Sequence, residues 1–485
     1  MAAGAGVVAL VGVGYRWHDL SRWGFWNDEA WVAISTRVEG LSQFLLSMAT
    51  TPVLWGALLR PLALLPHAEL SLRLLPFAWS VLTLWLAWRL GTRLAGHALG
   101  GLFAVALVAL DPASIQWAKQ LKQYSAEAAL ILATLLAADA SIRDRRGLRW
   151  LGLLLAVGAT VSNAQILAAP PVLAIVLIAT LVRRDGLPAR RVALLTLVVG
   201  LFDVAWYALV LRPGMPASLH DYYAEGYLPT GSVAVTAAAA RAAFDRLLVP
   251  GLGAYGVWVA AAAVVGLVGD PRTRSVALVV GLLVLEIVAL SALQVVPLGI
   301  VRTSLFLITA LLVLTGAAAA RATMALWTRP LLRPVAVVGL VALGIVVGRD
   351  RPWAAMASVE RPEDVGPLIQ ELEAARMPDD RVLLYARTAF VWGYYQAKIP
   401  VLDRNELVTV GFVPRLDDPA VIVIDGANFP AGIDRAVAGA PRVWFVGSRF
   451  AGTDETRIGY AIAAKTYIDH TERRERALLL RARPR

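Results

Sequence analysis

The chain has 485 residues, 58% of them hydrophobic, and combines a mean hydropathy of +0.64 with a net charge of +11. Soluble globular proteins are rarely so apolar, whereas proteins that cross a membrane several times normally are. Because the sequence contains no cysteine, disulfides, thiolate nucleophiles and cysteine-bound metals are excluded.

Eleven apolar stretches predict membrane-spanning helices, since a helix needs about 20 apolar residues to cross the hydrocarbon core. They lie near residues 2–15, 71–90, 97–111, 125–139, 148–164, 165–182, 192–211, 251–268, 275–296, 303–320 and 334–348. We expect the first to be retained, because Tyr15 to His18 follow it and a small-residue cleavage site does not. The predicted fold class is mainly α, a polytopic membrane helix bundle.

The positive charge is concentrated on one side of the predicted membrane. With the N-terminus in the cytoplasm, the cytoplasmic loops carry 15 arginines and four aspartates, which leaves the +11 of the whole chain. This distribution follows the positive-inside rule and does not indicate a nucleic-acid partner. It predicts a membrane protein whose segments 16–70, 212–250 and 350–485 lie on the extracytoplasmic side.

The composition changes near residue 349, which predicts a membrane domain, 1–349, and an extracytoplasmic α/β domain, 350–485. Its predicted strands and helices are Arg381–Tyr385, Thr388–Lys398, Val421–Ile424, Arg442–Val446, Glu455–Lys465 and Ala477–Leu480. A segment of this length is sufficient for its own core. In the loop 16–70, the apolar stretches 30–48 and 52–65 have the periodicity of helices lying along a membrane surface.

An acidic pair between tryptophans follows the first apolar stretch: Asp28 and Glu29, flanked by Trp26 and Trp31. A carboxylate at the outer membrane face is suited to take a proton from an acceptor hydroxyl during glycosyl transfer. The tryptophans are candidates to stack on a sugar or to anchor the loop at the interface. The alternative is an interfacial loop whose charges are only solvated.

Two lysines lie three residues apart on the predicted extracytoplasmic side, where the positive-inside rule does not require them. A helix would place Lys119 and Lys122 on one face, as expected for binding a phosphate-bearing lipid. The alternative is contact with lipid headgroups. Glu127 lies within the start of a predicted span, where a carboxylate indicates a functional site, with Lys122 as its expected partner.

Arg302 lies at the outer end of the tenth predicted span and is a candidate phosphate ligand, or alternatively reaches to the interface. Tyr222 and Tyr223 in the segment 212–250 are candidates to line a substrate site. Asp203 and Glu286 lie within spans, which indicates pairing or a polar cavity. Without paired histidines or a glycine-rich phosphate loop, no metal ligands and no nucleotide are predicted, and a divalent metal stays open.

Several motifs together resemble those of membrane glycosyltransferases of the GT-C fold class, in particular the bacterial relatives of protein O-mannosyltransferase and lipid A aminoarabinose transferase. The residues 27–30 resemble the WDEA motif of that group, and 50–55 its HPPLYY loop. The matching segments further along are 73–76 to RLPS, 109–112 to ALSP, 119–127 to QELKPYSLD and 299–303 to a late GR element. The sequence departs from the pattern at Thr51, in place of the histidine, and at Gln120, in place of the first glutamate.

The resemblance implies a multi-pass protein of a bacterial plasma membrane. The implied reaction is an inverting transfer of a sugar from a polyprenyl-phosphate donor to an extracytoplasmic glycan, lipid or protein. The resemblance assigns Asp28 as the general base, with Glu29 supporting it or binding acceptor or metal. It also assigns Lys122 and Arg302, with Lys119 nearby, to the donor phosphate and Tyr124 to the lining of that site. The remaining substrate-lining candidates are Trp26, Trp31, Gln120, Glu127, Tyr222 and Tyr223.

Two other functions stay open at the level of sequence. One is a transporter or flippase for a lipid-linked or polar solute, with Asp203 and Glu286 along its path. The other is an assembly or sensor subunit whose acidic loop is inert. The amino-acid composition indicates a GC-rich genome. If the chain is a transferase, this favours arabinose, a pentose, or mannose, a hexose, as the transferred sugar.

Overall fold

The computed structural model describes residues 2–48, 51–144, 147–183, 189–335, 337, 363–396 and 399–485. The helices are α1 (Ala2–Trp17), α2 (Asn27–Ile34), α3 (Leu41–Ser47), α4 (Val53–Leu59), α5 (Ala68–Ala95), α6 (Ala98–Ala109), α7 (Pro112–Ala118), α8 (Tyr124–Asp144), α9 (Leu148–Val161), α10 (Asn163–Arg183), α11 (Ala189–Trp206), α12 (Ser218–Tyr222), α13 (Val233–Leu252), α14 (Gly256–Val268), α15 (Arg274–Ala292), α16 (Leu305–Trp327), α17 (Gly366–Ala375), α18 (Ala389–Gln396), α19 (Phe429–Val437) and α20 (Asp454–Lys465). The strands are β1 (Arg381–Tyr385), β2 (Leu402–Arg404), β3 (Phe412–Pro414), β4 (Val421–Ile424), β5 (Val443–Ser448), β6 (Thr466–Arg474) and β7 (Ala477–Pro484).

The membrane domain is a helix bundle whose core is formed by the buried sides of its long apolar helices. In the described part of the chain, six helices are long and apolar enough to cross a membrane, or up to eight spans if each of two bent pairs counts as one. The bent pairs are α6 with α7, at 64°, and α13 with α14, at 88°. Every predicted span up to 303–320 falls on a helix, although α1 and α9 are shorter than a full crossing requires.

The break between α6 and α7 has a clear local cause. Asp111 caps α7, because its Oδ2 accepts hydrogen bonds from the Ser114 N–H at 2.8 Å and the Ser114 hydroxyl at 2.7 Å, and Pro112 begins the new helix. Arg16 of α1 donates to the carbonyls of Val108 and Ala109 at the end of α6, both at 2.9 Å. These contacts satisfy the carbonyl groups that α6 leaves unpaired where it ends.

The short helices α2, α3 and α4 form a layer between the bundle and the C-terminal domain. Phe25, Ile34 and Trp55, none of them measurably exposed, share one hydrophobic cluster with Trp392 and Phe412 of that domain. Helices are present in the predicted stretches 30–48 and 52–65. Their buried apolar side chains pack on protein, whereas Leu41, Leu64 and Leu65 are exposed. This burial fixes the C-terminal domain against the segment that begins with the acidic pair. The location of these helices along a membrane surface stays a prediction.

The C-terminal domain is built on a five-stranded sheet of order β4-β1-β5-β7-β6, in which β4, β1 and β5 are parallel and β7 and β6 antiparallel. The predicted α/β domain is confirmed, with its strands and both predicted helices near the expected positions. The strand β6 was not predicted, because its residues are mostly polar and show no alternation of apolar and polar side chains. The small pair β2–β3 and the helices α17 and α19 were not predicted either. The predicted domain boundary at 349, the predicted span 334–348 beyond residue 337, and the last two residues of the predicted helix 388–398 lie outside the described residues.

Substitution of two glycines in the bundle should affect the stability of the protein very differently. A Cβ atom at Gly316 of α16 would lie 2.6 Å from the backbone nitrogen of Ala104 in α6, whereas a Cβ at Gly200 of α11 meets no atom within 4 Å. We expect Gly316→Leu to separate α16 from α6 and to lower the unfolding free energy by about 1–3 kcal/mol or more. The matched variant Gly200→Leu should stay within about 0.5 kcal/mol of wild type. Thermal unfolding in detergent measures both, and equal losses would contradict the packing described here.

Candidate active site

The acidic pair lies in the first turn of α2, where the helix dipole favours negative charge. Both residues are buried: Asp28 is 2% exposed and Glu29 is not measurably exposed. Consecutive residues on a helix point in directions about 100° apart. The two carboxylates therefore meet different partners.

Glu29 joins three parts of the membrane domain. Its Oε1 accepts from Arg73 Nε of α5 at 2.8 Å, and its Oε2 accepts from Arg73 Nη2 at 2.5 Å. The backbone N–H of Leu121 also donates to Oε1, at 2.9 Å. Glu29 thus fixes α2 against α5 and the turn before α8, and its support of Asp28 stays a prediction.

Asp28 is held between two arginines that are distant in sequence. Its Oδ2 accepts from Arg302 Nη1 at 3.0 Å, and its Oδ1 accepts from Arg449 Nη1 at 3.1 Å. Arg302 also donates from Nη2 to the Tyr222 hydroxyl at 2.7 Å. The carboxylate is thereby fixed in orientation and surrounded by positive charge.

Lys122 lies beside this pair, in the turn between α7 and α8. Its ammonium nitrogen is 3.7 Å from the centre of the Trp31 ring, a cation–π contact. Burial lowers the pKa of Lys122 to about 7, although the charge of Asp28 acts in the opposite direction. Near neutral pH this lysine is therefore poised to gain a proton when an anion arrives.

Two adjacent cavities meet at Arg302, Tyr222 and Tyr223, which line both. The narrow cavity, about 30 Å³, is lined by Asp28, Trp31, Lys122, Gln123, Tyr124, Leu219, Tyr222, Tyr223, Arg302 and Thr409. The wide cavity, about 450 Å³, is lined by Trp26, Trp117, Gln120, Tyr222, Tyr223, Ile300, Val301, Arg302, Glu363, Arg449 and Arg476. Nine of the twelve residues predicted from sequence line one cavity or both.

The other three predicted site residues, Glu29, Lys119 and Glu127, line neither cavity. Lys119 directly follows α7 and lies in the turn before α8, so it shares no helix face with Lys122 and the expected arrangement is wrong. The charges that act on Lys119 are those of Asp19 and Arg16. Glu127 is buried in α8 near Gln123, and Lys122 interacts with Asp28 and Glu29 instead of the expected Glu127.

Asp203 of α11 and Glu286 of α15 also lie outside the lining of both cavities. The described residues contain no group of three His, Asp or Glu that could hold a metal ion. The side chains that donate hydrogen bonds to the carboxylate of Asp28 are those of Arg302 and Arg449.

The C-terminal domain contributes four residues that sequence reasoning missed: Glu363, Thr409, Arg449 and Arg476. A signal existed for one of them. Arg449 directly follows β5 at the carboxyl end of the parallel strands, which is where ligands of such sheets usually bind. No comparable sequence pattern marks the other three.

Comparisons with known proteins agree with this architecture. The family model described as dolichyl-phosphate-mannose-protein mannosyltransferase matches residues 51–207. No curated protein sequence matches the chain. The matched family belongs to the group of membrane glycosyltransferases that the sequence motifs resemble.

The chain resembles two crystal structures of ArnT from Cupriavidus metallidurans at 17% identity. The structure bound to undecaprenyl phosphate gives a TM-score of 0.55 and covers 99% of this chain and 97% of that one. The apo structure gives 0.50, with 99% and 96% covered. An oligosaccharyltransferase from Archaeoglobus fulgidus, in complex with Zn and sulfate, gives 0.51 at 13% identity, with 91% and 67% covered. The chain is thus a multi-pass membrane protein with the fold of the GT-C glycosyltransferases, as its motifs predict.

Proposed function

We propose that the chain transfers a sugar from a polyprenyl-phosphate donor to an acceptor hydroxyl at the extracytoplasmic face of a bacterial plasma membrane. The observation that carries this proposal is the buried contact of Asp28 with Arg302 beside Lys122, at the junction of the two cavities. It supplies a base and two cations for a phosphate within one site. The bound lipid of the ArnT structure, undecaprenyl phosphate, is the kind of lipid that a polyprenyl-phosphate donor leaves behind once its sugar has been transferred.

The donor phosphate binds between Lys122 and Arg302 in this proposal. Arg302 offers a planar set of donors for phosphate oxygens, and Lys122 offers an ammonium whose proton is favoured by the arriving anion. Tyr124 lines the same narrow cavity. The narrow cavity must widen to admit the donor, and it is bounded by the short helix α12 through Leu219 and Tyr222.

The reaction is a single displacement at the anomeric carbon of the donor sugar. The acceptor hydroxyl oxygen forms the new bond to this carbon as Asp28 takes the hydroxyl proton. The bond from the anomeric carbon to the phosphate oxygen breaks, and its electron pair stays on that oxygen. Arg302 and Lys122 stabilise the charge that develops there. One displacement inverts the configuration at the anomeric carbon.

The acceptor occupies the wide cavity in this proposal. Its volume of about 450 Å³ and its Trp26, Trp117 and tyrosine side chains suit one or two sugar rings. Part of the lining belongs to the C-terminal domain, which would guide a glycan, lipid or protein acceptor to Asp28. The transferred sugar is a hexose or pentose, with mannose and arabinose as the first candidates.

Replacing Asp28 tests the function directly. We expect wild-type protein in nanodiscs to consume one of the polyprenyl-phosphate donors of arabinose, mannose, glucose or galactose when a crude envelope glycan is supplied. Asp28→Asn should lower turnover by about 100-fold or more, because the base is lost. Asp379→Asn, exposed just before β1 at the end of the sheet remote from Arg449, should keep full turnover. Since arginine and lysine supply the positive charges around the site, we expect turnover to persist with a chelator.

Two results would contradict the proposal. One is that no donor is consumed while a lipid or solute crosses proteoliposomes equally with wild type and Asp28→Asn, which favours transport. The other is consumption of the donor at the same rate by wild type and Asp28→Asn, which removes Asp28 from the reaction.

The pKa of Lys122 predicts a pH dependence of lipid-phosphate binding. Because the ammonium is mostly protonated below pH 7 and mostly neutral above it, affinity should be highest near or below pH 7. Between pH 7 and 8.5 the affinity for undecaprenyl phosphate should fall about tenfold. The phosphate adds little of its own over this range, since its second pKa is about 6.

Lys122→Arg is the matched control, because arginine stays charged throughout. Its affinity should change less than about twofold from pH 7 to 8.5. Titration of purified protein in nanodiscs with undecaprenyl phosphate measures both. An equal decline in wild type and Lys122→Arg would show that Lys122 is not the titrating group.

A further inference from the structure

Arg449 reaches the catalytic carboxylate from the C-terminal domain, 421 residues away in sequence. It begins the loop after β5, at the carboxyl ends of the parallel strands. Its guanidinium contacts two carboxylates at once: Nη1 lies 3.1 Å from Asp28 Oδ1, and Nε lies 3.2 Å from Glu363 Oε1. Arg449 therefore bridges a residue of the membrane domain to one of the C-terminal domain.

The backbone of Arg449 adopts a conformation that residues other than glycine rarely use. Its φ is +50°, and several contacts hold the loop in place. Arg387 donates to the Arg449 carbonyl at 3.3 Å, the Ser448 N–H donates to the Thr388 hydroxyl at 3.0 Å, and the Ala451 N–H donates to the Tyr385 hydroxyl at 3.0 Å. Such strain persists where the surrounding structure requires one side-chain direction, and it is frequent at functional sites.

Glu363 completes the connection. It is 3% exposed, and its second oxygen accepts from the Ser448 hydroxyl at 3.2 Å. Burial raises the pKa of Glu363, whereas the backbone N–H of Asn27, the first residue of α2, favours the charged form of Glu363 and so acts to lower this pKa. The residue before α2, Trp26, provides no side-chain cap, so Glu363 supplies an acceptor that the helix start lacks.

These contacts form a closed ring around the start of α2, from Asp28 through Arg449 and Glu363 to Asn27. Of the two arginines on Asp28, Arg302 is the one that the proposed donor phosphate would attract, since it also lines the narrow cavity beside Lys122. Arg449 lines only the wide cavity. When the donor arrives, Arg449 is thus the contact that remains to orient the carboxylate.

We propose that Arg449, held by Glu363, is a positioning residue that keeps Asp28 aligned while the donor phosphate engages Arg302. The C-terminal domain is then part of the reaction site as well as a platform for the acceptor. This inference rests on the proposed transferase function for its kinetic consequence, and on the contacts alone for its structural one.

The kinetic test compares Arg449→Gln, Arg449→Lys and Arg483→Gln in full-length protein in nanodiscs. Arg483 lies on β7 at the end remote from Arg449 and pairs with Asp469. We expect Arg449→Gln to lower kcat about 100-fold, because a misaligned base loses this much, while undecaprenyl phosphate affinity and donor KM change less than about threefold. Arg449→Lys should recover about tenfold of the loss, and Arg483→Gln should match wild type.

The structural test needs no turnover. A cycle of Asp28→Asn, Arg449→Gln and the double variant should be non-additive in melting temperature by about 2 °C or more. The matched cycle with Arg483→Gln should be additive.

The outcomes separate the inference from the proposed function. Full kcat in Arg449→Gln, or a loss confined to lipid-phosphate affinity, overturns the positioning role while the transferase stands. If wild type consumes no donor, the transferase fails and the thermal cycle decides alone: non-additivity supports the Asp28–Arg449 link, and additivity overturns it.

Discussion

The candidate site depends on one interaction, the pairing of the buried Asp28 carboxylate with the guanidinium groups of Arg302 and Arg449. An isolated carboxylate is costly to bury, and a paired one is tolerated because its charge and lone pairs are satisfied. The two arginines come from the end of the membrane bundle and from the C-terminal domain. The same contact therefore stabilises the charge, orients it and joins the two parts of the molecule.

The remaining structure places these three side chains. Arg73 and Glu29 fix α2 against α5 and the turn that carries Lys122, and the hydrophobic layer around Trp55 and Phe412 seats the C-terminal domain on α2. Arg302 stands at the junction of the two cavities and contacts both Asp28 and Tyr222. A phosphate that attracts Arg302 would leave one Asp28 oxygen free to accept a proton, which links donor binding to base availability in the proposed reaction.

Local sequence patterns predicted most of the bundle, the α/β domain and most of the polar residues that the membrane domain contributes to the candidate site. Asp28, Lys122 and Tyr124 lie within recognisable motifs, and Arg302 lies at the end of a predicted membrane span. Two failures of prediction have physical causes. A turn after α7 separates Lys119 from Lys122, so the two lysines do not share a helix face. Glu29 pairs with Arg73, which lies 44 residues away, and no spacing rule connects residues so far apart. Arg449 and Glu363 reach the site only through the docking of one domain on another, a tertiary contact without a local signature.

A structure of the protein in nanodiscs with undecaprenyl phosphate tests the central claim most directly. The proposal predicts a phosphate within hydrogen-bond distance of Lys122 Nζ and of the Arg302 guanidinium, with Asp28 still paired to Arg449. A phosphate bound elsewhere, for example at Lys119, or an Asp28 carboxylate turned away from Arg449, would contradict it.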